Sequence, residues 1–361
     1  MTTGGWWSKA AWLVLCAVVL GWTGTASAAC PGAQRMRLPS GDSTWSVVTT
    51  TAELALMADG RFALRVLDSS DPANPRELGL LPSCGQARAV AVAGNYAYLA
   101  DGSAGLRIID LSQPDAPAVV GRYPTQQDAL GVTVSGDYAY LATGTGGLLI
   151  LDVSQPAAPR LVTTIASQGS AHHAAVEDDL LYLADGSAGL RVFDVSIPEY
   201  PQAKGSLPTT GFSRRILVDD SLAYLADGQG GLRIIDLSNP ESLRELGRLA
   251  SLDQSRALAK RGELVYLADG QGGLRVVDVS DPYSPWETGS LPATFTVWDL
   301  ALAGDYAYLA AGDSGLVVVE VSGCRTNLSS TGEEWQGGLW IQGGGRWSWN
   351  HGPGLAFTLS W

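Results

Sequence analysis

The 361-residue sequence is poor in charged residues, and cationic residues are the scarcer kind. Aspartate, glutamate, lysine and arginine make up 16% of the chain, and the formal net charge is −13. Nucleic acids and anionic membranes attract clustered basic residues, so this balance argues against both as partners. Glycine, in contrast, is abundant at 44 residues. Low charge with much glycine is typical of short strands and tight turns rather than of helices.

A hydrophobic run long enough to span a membrane is also missing. The apolar stretch 10–20 is too short for that role. It follows Lys9, the only charged residue among the first 28, and precedes Ala26-Ser27-Ala28, a pattern typical of signal-peptidase cleavage. We therefore predict that residues 1–28 are a signal peptide. The mature chain would be secreted, periplasmic or at the cell surface, with no membrane span after removal of this segment.

Cysteine is scarce as well. Three of the four cysteines remain after the predicted cleavage, namely Cys30, Cys84 and Cys324. An exported protein reaches a compartment in which cysteines pair, and an odd number leaves at least one thiol unpaired within the monomer. A lipoprotein anchor at Cys30 is the alternative to release. Ser27 argues against it, because such signals usually carry a leucine-like residue at that place.

A repeat fills most of the chain. A YLADG-like run recurs seven times between about residues 45 and 322, always 42 residues apart. The residues that close this run are Asp59, Asp101, Thr143, Asp185, Asp227, Asp269 and Ala311. A second acidic position follows nine residues later, at Asp68, Asp110, Asp152, Asp194, Asp236, Asp278 and Glu320. A fixed period of this length predicts an array or a closed ring.

Each repeat unit has the pattern of four short strands. In the second copy, β-rich runs at 90–94, 96–100, 106–111 and 118–123 are separated by turn residues, and no helical period occurs. Small alanine and large leucine or tyrosine recur at fixed places, as adjacent twisted sheets need in order to interlock. Because one four-stranded sheet cannot cover its own apolar faces, its neighbours must. We predict an all-β fold, a seven-bladed β-propeller of four-stranded antiparallel blades.

Two units show a family resemblance most clearly. The segments YLADGSAGLRVFDVSIPEYP (182–201) and YLADGQGGLRVVDVSDPYSP (266–285) resemble the LVIVD repeat of bacterial and archaeal surface proteins. The resemblance covers roughly four-fifths of the predicted mature chain. It implies a propeller exported to the cell surface, and it implies no catalytic residues.

Closure of the ring is predicted from the two ends of the repeat. The seventh copy ends after its third strand, near Ser322, and the segment 34–38 matches a fourth strand apart from a one-residue slip. The N-terminal strand should therefore complete the last blade, which removes two open sheet edges. Residues 29–324 would then form the propeller.

The same register brings two cysteines into one loop. Counted in repeat units, Cys30 and Cys324 fall at neighbouring places between a third and a fourth strand. We therefore predict a Cys30–Cys324 disulfide and a free thiol at Cys84. The pairings Cys30–Cys84 and Cys84–Cys324 are the alternatives.

An arginine accompanies the aspartate of the ADG turn six residues later in five copies. The other two copies have lost both residues, carrying Thr143 with Leu149 and Ala311 with Val317. Joint loss indicates a pair, because an unpaired charge between blades is costly. The predicted structural pairs are Asp59–Arg65, Asp101–Arg107, Asp185–Arg191, Asp227–Arg233 and Asp269–Arg275. The second acidic column precedes serine and proline as D-x-S-x-P, which predicts turn capping and lacks the ligand spacing of a calcium site.

One pair of columns departs from the uniformity of the repeat. At the start of the innermost strand the chain carries Arg88, Leu130, His172, Arg214, Arg256 and Trp298, followed by Ala89, Gly131, His173, Arg215, Ala257 and Asp299. This end of the strand should lie at the mouth of the central channel, and converging polar groups predict a ligand site. The candidate ligand-binding residues are Arg88, His172, His173, Arg214, Arg215, Arg256, Trp298 and Asp299. Arginines suit an anionic ligand; the alternative is a solvated opening that tolerates any residue.

Residues 325–361 follow the predicted ring and are rich in tryptophan and glycine. Leu355, Phe357, Leu359 and Trp361 alternate with small or polar residues, which is typical of a strand with one apolar face. We predict a β-hairpin in this extension. It would either pack on the rim of the propeller or serve for docking a partner or for retention at the surface.

Three functions remain open from the sequence. The favoured one is an interaction scaffold, exported to the cell surface or periplasm, whose partner is another protein or surface component. The second is a receptor for a small anionic or sugar-like ligand at the channel mouth. The third is a propeller lyase or hydrolase with His172 or His173 as base. The sequence shows no catalytic signature and predicts no cofactor. It also predicts no metal site at His172 and His173, because adjacent residues on a strand point to opposite faces.

Overall fold

The computed structural model of the chain describes residues 34–323, except 41, 51, 52, 61, 62 and 73. The chain divides into two units, Met1–Arg325 and Thr326–Trp361, and every described residue belongs to the first. The predicted signal peptide, the cysteines Cys30 and Cys324 and the C-terminal extension lie outside the described residues. Within the described part of the chain no helix is long and apolar enough to cross a membrane.

The described residues form 28 strands in seven four-stranded antiparallel sheets. The first, innermost strands of blades 1 to 7 are β2 (Ser46–Thr49), β6 (Ala89–Ala93), β10 (Gly131–Ser135), β14 (His173–Glu177), β18 (Arg215–Asp219), β22 (Ala257–Arg261) and β26 (Asp299–Ala303). The second strands are β3 (Leu54–Asp59), β7 (Tyr96–Ala100), β11 (Tyr138–Ala142), β15 (Leu180–Ala184), β19 (Leu222–Ala226), β23 (Leu264–Ala268) and β27 (Tyr306–Ala310). The third strands are β4 (Ala63–Asp68), β8 (Leu106–Asp110), β12 (Leu148–Asp152), β16 (Leu190–Asp194), β20 (Leu232–Asp236), β24 (Leu274–Asp278) and β28 (Leu316–Glu320). The outer strands are β5 (Arg76–Pro82), β9 (Ala118–Tyr123), β13 (Arg160–Ile165), β17 (Gln202–Leu207), β21 (Arg244–Leu249), β25 (Trp286–Leu291) and, for blade 7, β1 (Gln34–Leu38).

The N-terminal strand completes the seventh blade, as predicted. Strand β1 pairs antiparallel with β28, with Leu38 opposite Leu316 and Met36 opposite Val318. The irregularity between Gln34 and Met36 recurs at the equivalent place between the third and fourth strands of the other six blades. The one-residue slip in the sequence pattern reflects instead an extra residue in the inner hairpin of blade 1, where Ser46 pairs with Ala58 while Ala89 pairs with Ala100 in blade 2. The innermost strands contact one another around the whole ring, including β2 of blade 1 with β26 of blade 7. The sheets therefore close into a seven-bladed propeller.

The hydrophobic core lies between blades. Seven buried clusters each combine two adjacent sheets; in one of them Tyr98 and Leu106 of blade 2 pack with Val132 and Leu141 of blade 3. The leucines of the invariant column are all 0% exposed: Leu64, Leu106, Leu148, Leu190, Leu232, Leu274 and Leu316. Burial of each contributes about 1.5–3 kcal/mol. Each blade therefore depends on its two neighbours to bury its apolar faces.

The D-x-S-x-P loops close the end of the ring away from the ADG turns. In blade 2 the Asp110 carboxylate accepts a hydrogen bond from the backbone N–H of Ser112 at 2.8 Å. In blade 4 the side chain and backbone of Ser196, with smaller help from Lys204, lower the pKa of Asp194 to about 2. These carboxylates therefore cap turns.

Candidate functional site

The ADG turns fix the loops that lead into the channel mouth. Asp101 is fully buried and accepts hydrogen bonds from the Cys84 backbone N–H and from Arg107 Nη1, both at 3.1 Å, and from the Ser83 hydroxyl. Arg107 Nη1 also donates to the Pro82 carbonyl at 2.8 Å. One carboxylate thus ties the loop arriving from the previous blade to the turn of its own blade.

The other predicted Asp–Arg pairs have related geometry. The N–O distances are 3.5 Å for Asp59–Arg65, 3.0 Å for Asp185–Arg191, 2.6 Å for Asp227–Arg233 and 3.2 Å for Asp269–Arg275. In blade 3, which lacks the pair, the Thr143 hydroxyl donates to the Gly147 carbonyl at 2.9 Å and closes the turn. The upper end of the ring, defined as the end bearing these turns, is therefore held firmly around the mouth.

An open cavity of about 190 Å³ occupies this mouth. All eight predicted ligand-binding residues line it: Arg88, His172, His173, Arg214, Arg215, Arg256, Trp298 and Asp299. The remaining lining residues are Trp45, Ser46, Ala89, Leu130, Gly131 and Ala257. All seven blades contribute, and the sequence prediction missed the two residues of blade 1.

Trp45 was missed because the inner hairpin of blade 1 is one residue longer than the others. Ser46 pairs with Ala58 in blade 1, where Ala89 pairs with Ala100 in blade 2. Counting back 42 residues from Arg88 gives Ser46, whereas the structural equivalent is Trp45. A short β-bridge before each inner strand shows the same offset. It joins Thr44 to Gly312 in blade 1 and Ala87 to Gly60 in blade 2, and Thr44 lies 43 rather than 42 residues before Ala87.

A first group of mouth residues is a stack of arginine and tryptophan side chains. The guanidinium of Arg88 lies 4.4 Å from the centre of the Trp45 ring, and that of Arg256 lies 3.9 Å from the Trp298 ring. The two indoles contact each other with ring centres 4.2 Å apart. Such cation–π contacts attract a guanidinium to a ring face and fix its plane. Blades 6, 7, 1 and 2 therefore share one ordered row.

A second group is centred on Phe212, in the loop before β18. Arg214 lies over its ring at 5.1 Å, and the His172 ring meets it edge-on at 5.1 Å. Arg214 Nη2 also donates to Gln254 Oε1 of blade 6 at 3.4 Å. Phe212 was not among the predicted residues, although it is the only aromatic residue at its place in the repeat, where Gln86, Asp128, Ser170, Gln254 and Thr296 stand in other copies.

The positive charge of the mouth comes from arginine rather than histidine. Burial, and after it the charge of Arg214, lowers the pKa of His172 to about 4. Burial and then Arg215 lower the pKa of His173 far below its usual value. Both rings are thus neutral at pH 7. Within the described residues no three histidine, cysteine, aspartate or glutamate side chains are grouped to hold a metal ion.

Several buried nitrogen atoms at the mouth have no hydrogen-bond partner among the described residues. They are the Nε atoms of Arg88, Arg214 and Arg256 and the Nδ1 atom of His173. Burial lowers the pKa of all three arginines. A buried donor without an acceptor is costly, so the mouth is left with unmet hydrogen-bonding capacity for an anion.

An ion pair crosses the channel beneath the mouth. Arg215 Nη1 of blade 5 lies 3.5 Å from Asp299 Oδ2 of blade 7, past the intervening blade 6. The same oxygen accepts from the Ser46 hydroxyl at 2.7 Å and from the Val47 backbone N–H at 3.3 Å. Arg215 and His173 also line a second cavity of about 310 Å³ between the inner strands. These residues therefore form the boundary between the two spaces.

Replacing His172 by leucine, the residue that blade 3 carries as Leu130, should reduce the acid sensitivity of folding. The pKa of His172 is about 4 in the fold and near 6.5 in the unfolded chain, so the unfolded chain binds the proton first as the pH falls. The contribution of His172 to the free energy of unfolding is therefore fully present above pH 6.5 and is lost as the pH falls towards 4. The wild type should lose about 1–2 kcal/mol more than the variant between pH 7.5 and 5. Urea unfolding at both pH values measures this difference, and equal losses in the two proteins would refute the assignment.

Comparison with known proteins agrees with this fold. The LVIVD repeat family matches residues 84–125, 127–166, 168–209, 210–250, 254–292 and 296–333, which is more than half of the chain. The protein therefore belongs to the LVIVD repeat family, as the resemblance had indicated.

The solved structures most useful for comparison are all propeller-like in the aligned region. BamB from Moraxella catarrhalis has 15% identity and a TM-score of 0.55, with 79% of this chain and 85% of that chain covered. U3-55K has 15% identity and a TM-score of 0.65, covering 81% and 100%. The computationally designed Ika8 protein has 11% identity and a TM-score of 0.59, covering 80% and 100%. At these identities the likeness establishes the fold alone, and no curated protein matches the sequence.

Proposed function

We propose that this protein is a non-catalytic interaction scaffold, exported to the periplasm or cell surface, that contacts its partner at the upper mouth. The partner is another protein or a surface component. The observation that carries the proposal is the convergence of the variable columns on one cavity, while the columns that hold the blades together stay uniform. Export is supported by the signal-peptide pattern of residues 1–28.

The geometry favours binding over catalysis at this site. The Ser170 hydroxyl lies 3.3 Å from His172 Nε2, which is the nearest approach to a nucleophile and base at the mouth among the described residues. A base with a pKa of about 4 is poorly matched to proton transfer at neutral pH. The lyase or hydrolase alternative therefore has little support from the side chains present.

A receptor for a small anionic ligand is the second candidate. The unpaired Nε atoms of Arg214 and Arg256 favour it, because a bound anion would satisfy donors for which residues 34–323, as far as the structure describes them, provide no acceptor. A sugar-like ligand without a charge would leave the arginines uncompensated. The two candidates share one mouth and differ in whether the anion is free or carried by a protein.

The scaffold proposal is tested by a capture experiment with three purified proteins that lack residues 1–28: the wild type, a mouth variant and a control variant. Each is cross-linked to the proteins of an envelope extract from the source cells, and the captured partners are compared. The mouth variant combines Arg88→Leu, Arg214→Leu and Arg256→Leu, using the residue of blade 3. The matched control combines Arg76→Leu, Arg160→Leu and Arg244→Leu, which removes equal charge from exposed starts of outer strands. We expect wild type and control to retain the cross-linked partner, and the amount of partner captured by the mouth variant to fall at least about tenfold. Equal retention by all three proteins would overturn the proposal.

A further inference from the structure

We propose that the mouth binds one oxyanion group, a carboxylate on an acidic segment of the partner, between Arg214 of blade 5 and Arg256 of blade 6. We further propose that Asp299 acts as the protein's own competing anion, which occupies Arg215 and limits the affinity. The inference rests on the proposed function, since it names the chemical group that the partner brings to the mouth. Three independent features of the described residues carry it.

The first feature is uncompensated charge. Arginines elsewhere between the blades, such as Arg107 and Arg233, lie within 3.1 Å and 2.6 Å of a buried carboxylate. No ion pair joins Arg214 or Arg256 to a carboxylate within the described part of the chain. Burial, and after it the charge of Arg214, lowers the pKa of Arg256, and the charge of Asp253 offsets this only in part. Two neighbouring, partly buried cations repel each other unless an anion lies between them.

The second feature is the way the guanidinium groups are presented. Arg256 lies over the Trp298 ring and Arg214 over the Phe212 ring, so an aromatic ring covers one flat face of each guanidinium. Arg214 Nη2 donates to Gln254 Oε1 at 3.4 Å, and the buried Nε of each arginine has no acceptor among the described residues. The edge of a guanidinium is the part that forms two parallel hydrogen bonds to a carboxylate or phosphate. The aromatic contacts thus leave the anion-binding edge available on two adjacent blades.

The third feature is the size and lining of the cavity. Its volume of about 190 Å³ is below the roughly 300–1,000 Å³ of sites that enclose drug-sized ligands. Blade 3 contributes the uncharged residues Leu130 and Gly131, and a side chain at Gly131 would come within 2.1 Å of the His172 carbonyl oxygen. The mouth therefore accommodates one small charged group entering from above, such as a glutamate or aspartate side chain.

Asp299 sets the number of arginines available to the ligand. It is 3% exposed and holds Arg215 across the channel at 3.5 Å, assisted by Ser46. Asparagine at this position keeps the size of the side chain and its acceptor oxygen but removes the charge. Arg215 then becomes an additional cation facing an incoming anion. Loss of one carboxylate should therefore tighten anion binding, the opposite of the effect of losing an arginine.

The test is calorimetric titration of the mature protein, at low ionic strength, with inorganic phosphate, a blocked tetraglutamate peptide and a blocked tetraglutamine peptide. We expect tetraglutamate to bind, tetraglutamine not to bind, and phosphate to bind more weakly than tetraglutamate. Arg214→Leu with Arg256→Leu should weaken tetraglutamate binding at least about 30-fold, and Asp299→Asn should tighten it about 5- to 10-fold. The exposed control, Arg160→Leu with Arg244→Leu, should change it less than about twofold.

Each other outcome contradicts a defined part of the inference. Equal losses in the mouth and control variants, or no binding of either anion, would overturn the site. Phosphate binding without tetraglutamate binding would assign the mouth to a free anion and reject the acidic partner segment. An unchanged affinity in Asp299→Asn would reject the role of Asp299. If the double leucine variant fails to fold, Arg256→Lys keeps the charge without the guanidinium edge and should weaken tetraglutamate binding about fivefold.

The titration experiment and the partner-capture experiment can fail independently of each other. Peptide binding that responds to the arginines, combined with unchanged partner capture by the mouth variant, would keep the oxyanion site and place the partner elsewhere. Partner capture that depends on the mouth, combined with absent anion binding, would keep the scaffold and reject the oxyanion chemistry.

Discussion

Replacing Arg107 by leucine is expected to lower the free energy of unfolding by about 3–5 kcal/mol. The substitution leaves the Asp101 carboxylate, which is 0% exposed, without the cation that lies 3.1 Å from it. Leucine keeps an apolar side chain at this place, as Leu149 does in blade 3, so most of the cost arises from the uncompensated charge. Denaturant unfolding monitored by tryptophan fluorescence measures the change.

The double variant Asp101→Thr with Arg107→Leu distinguishes this explanation from a general packing effect. It copies Thr143 and Leu149 of blade 3 and should recover at least about 2 kcal/mol relative to Arg107→Leu alone. Recovery should be incomplete, because Asp101 also accepts the Cys84 N–H. Arg160→Leu is the control, since its side chain is 75% exposed in a pair with Asp152 and should cost less than about 1 kcal/mol. A double variant less stable than the single one would contradict the pairing.

Replacing Cys30 and Cys324 together by serine is expected to lower the free energy of unfolding by up to roughly 5 kcal/mol. The two cysteines lie outside the described residues, and their disulfide remains a prediction. Strand β1 pairs Gln34 with Val319 of β28, so each cysteine is only a few residues beyond one shared point of the sheet. A bond there would close a loop of nearly the whole mature chain, which greatly restricts the unfolded state.

Non-reducing peptide mapping and unfolding with and without a reductant provide the measurement. Reduction should destabilise the wild type and leave the serine variant unchanged. Cys84→Ser should have no effect on either result, since Cys84 is exposed and has no disulfide partner within the described part of the chain. A linked peptide containing Cys84 would show one of the alternative pairings instead.

The fold was predictable because seven copies of one unit can be compared within a single sequence. A leucine present in all seven copies indicated a buried position, and its side chain is 0% exposed in every blade. The joint loss of Asp and Arg in two copies indicated that these two residues contact each other. Ring closure followed from an incomplete last copy and a spare strand at the beginning. These predictions succeed where each copy faces the same environment.

The mouth was predictable only in part, for the opposite reason. The variable columns identified the opening and eight of its residues, but the extra residue in the first hairpin hid Trp45. Phe212 lies in a loop, outside the strand columns on which the prediction relied. The pair between Arg215 and Asp299 joins blades that are not adjacent, so it depends on the width of the channel, which the repeat pattern does not give.

The pairing of β1 with β28 also determines when this protein can finish folding. Arg37, at the start of the ring, donates to the Ser314 carbonyl 277 residues away. Such distant contacts raise the contact order and slow folding, and an emerging chain has no partner for its first strand until its last blade has been synthesised. If the chain is exported unfolded, as we propose, both of its ends are on the far side of the membrane before the ring assembles.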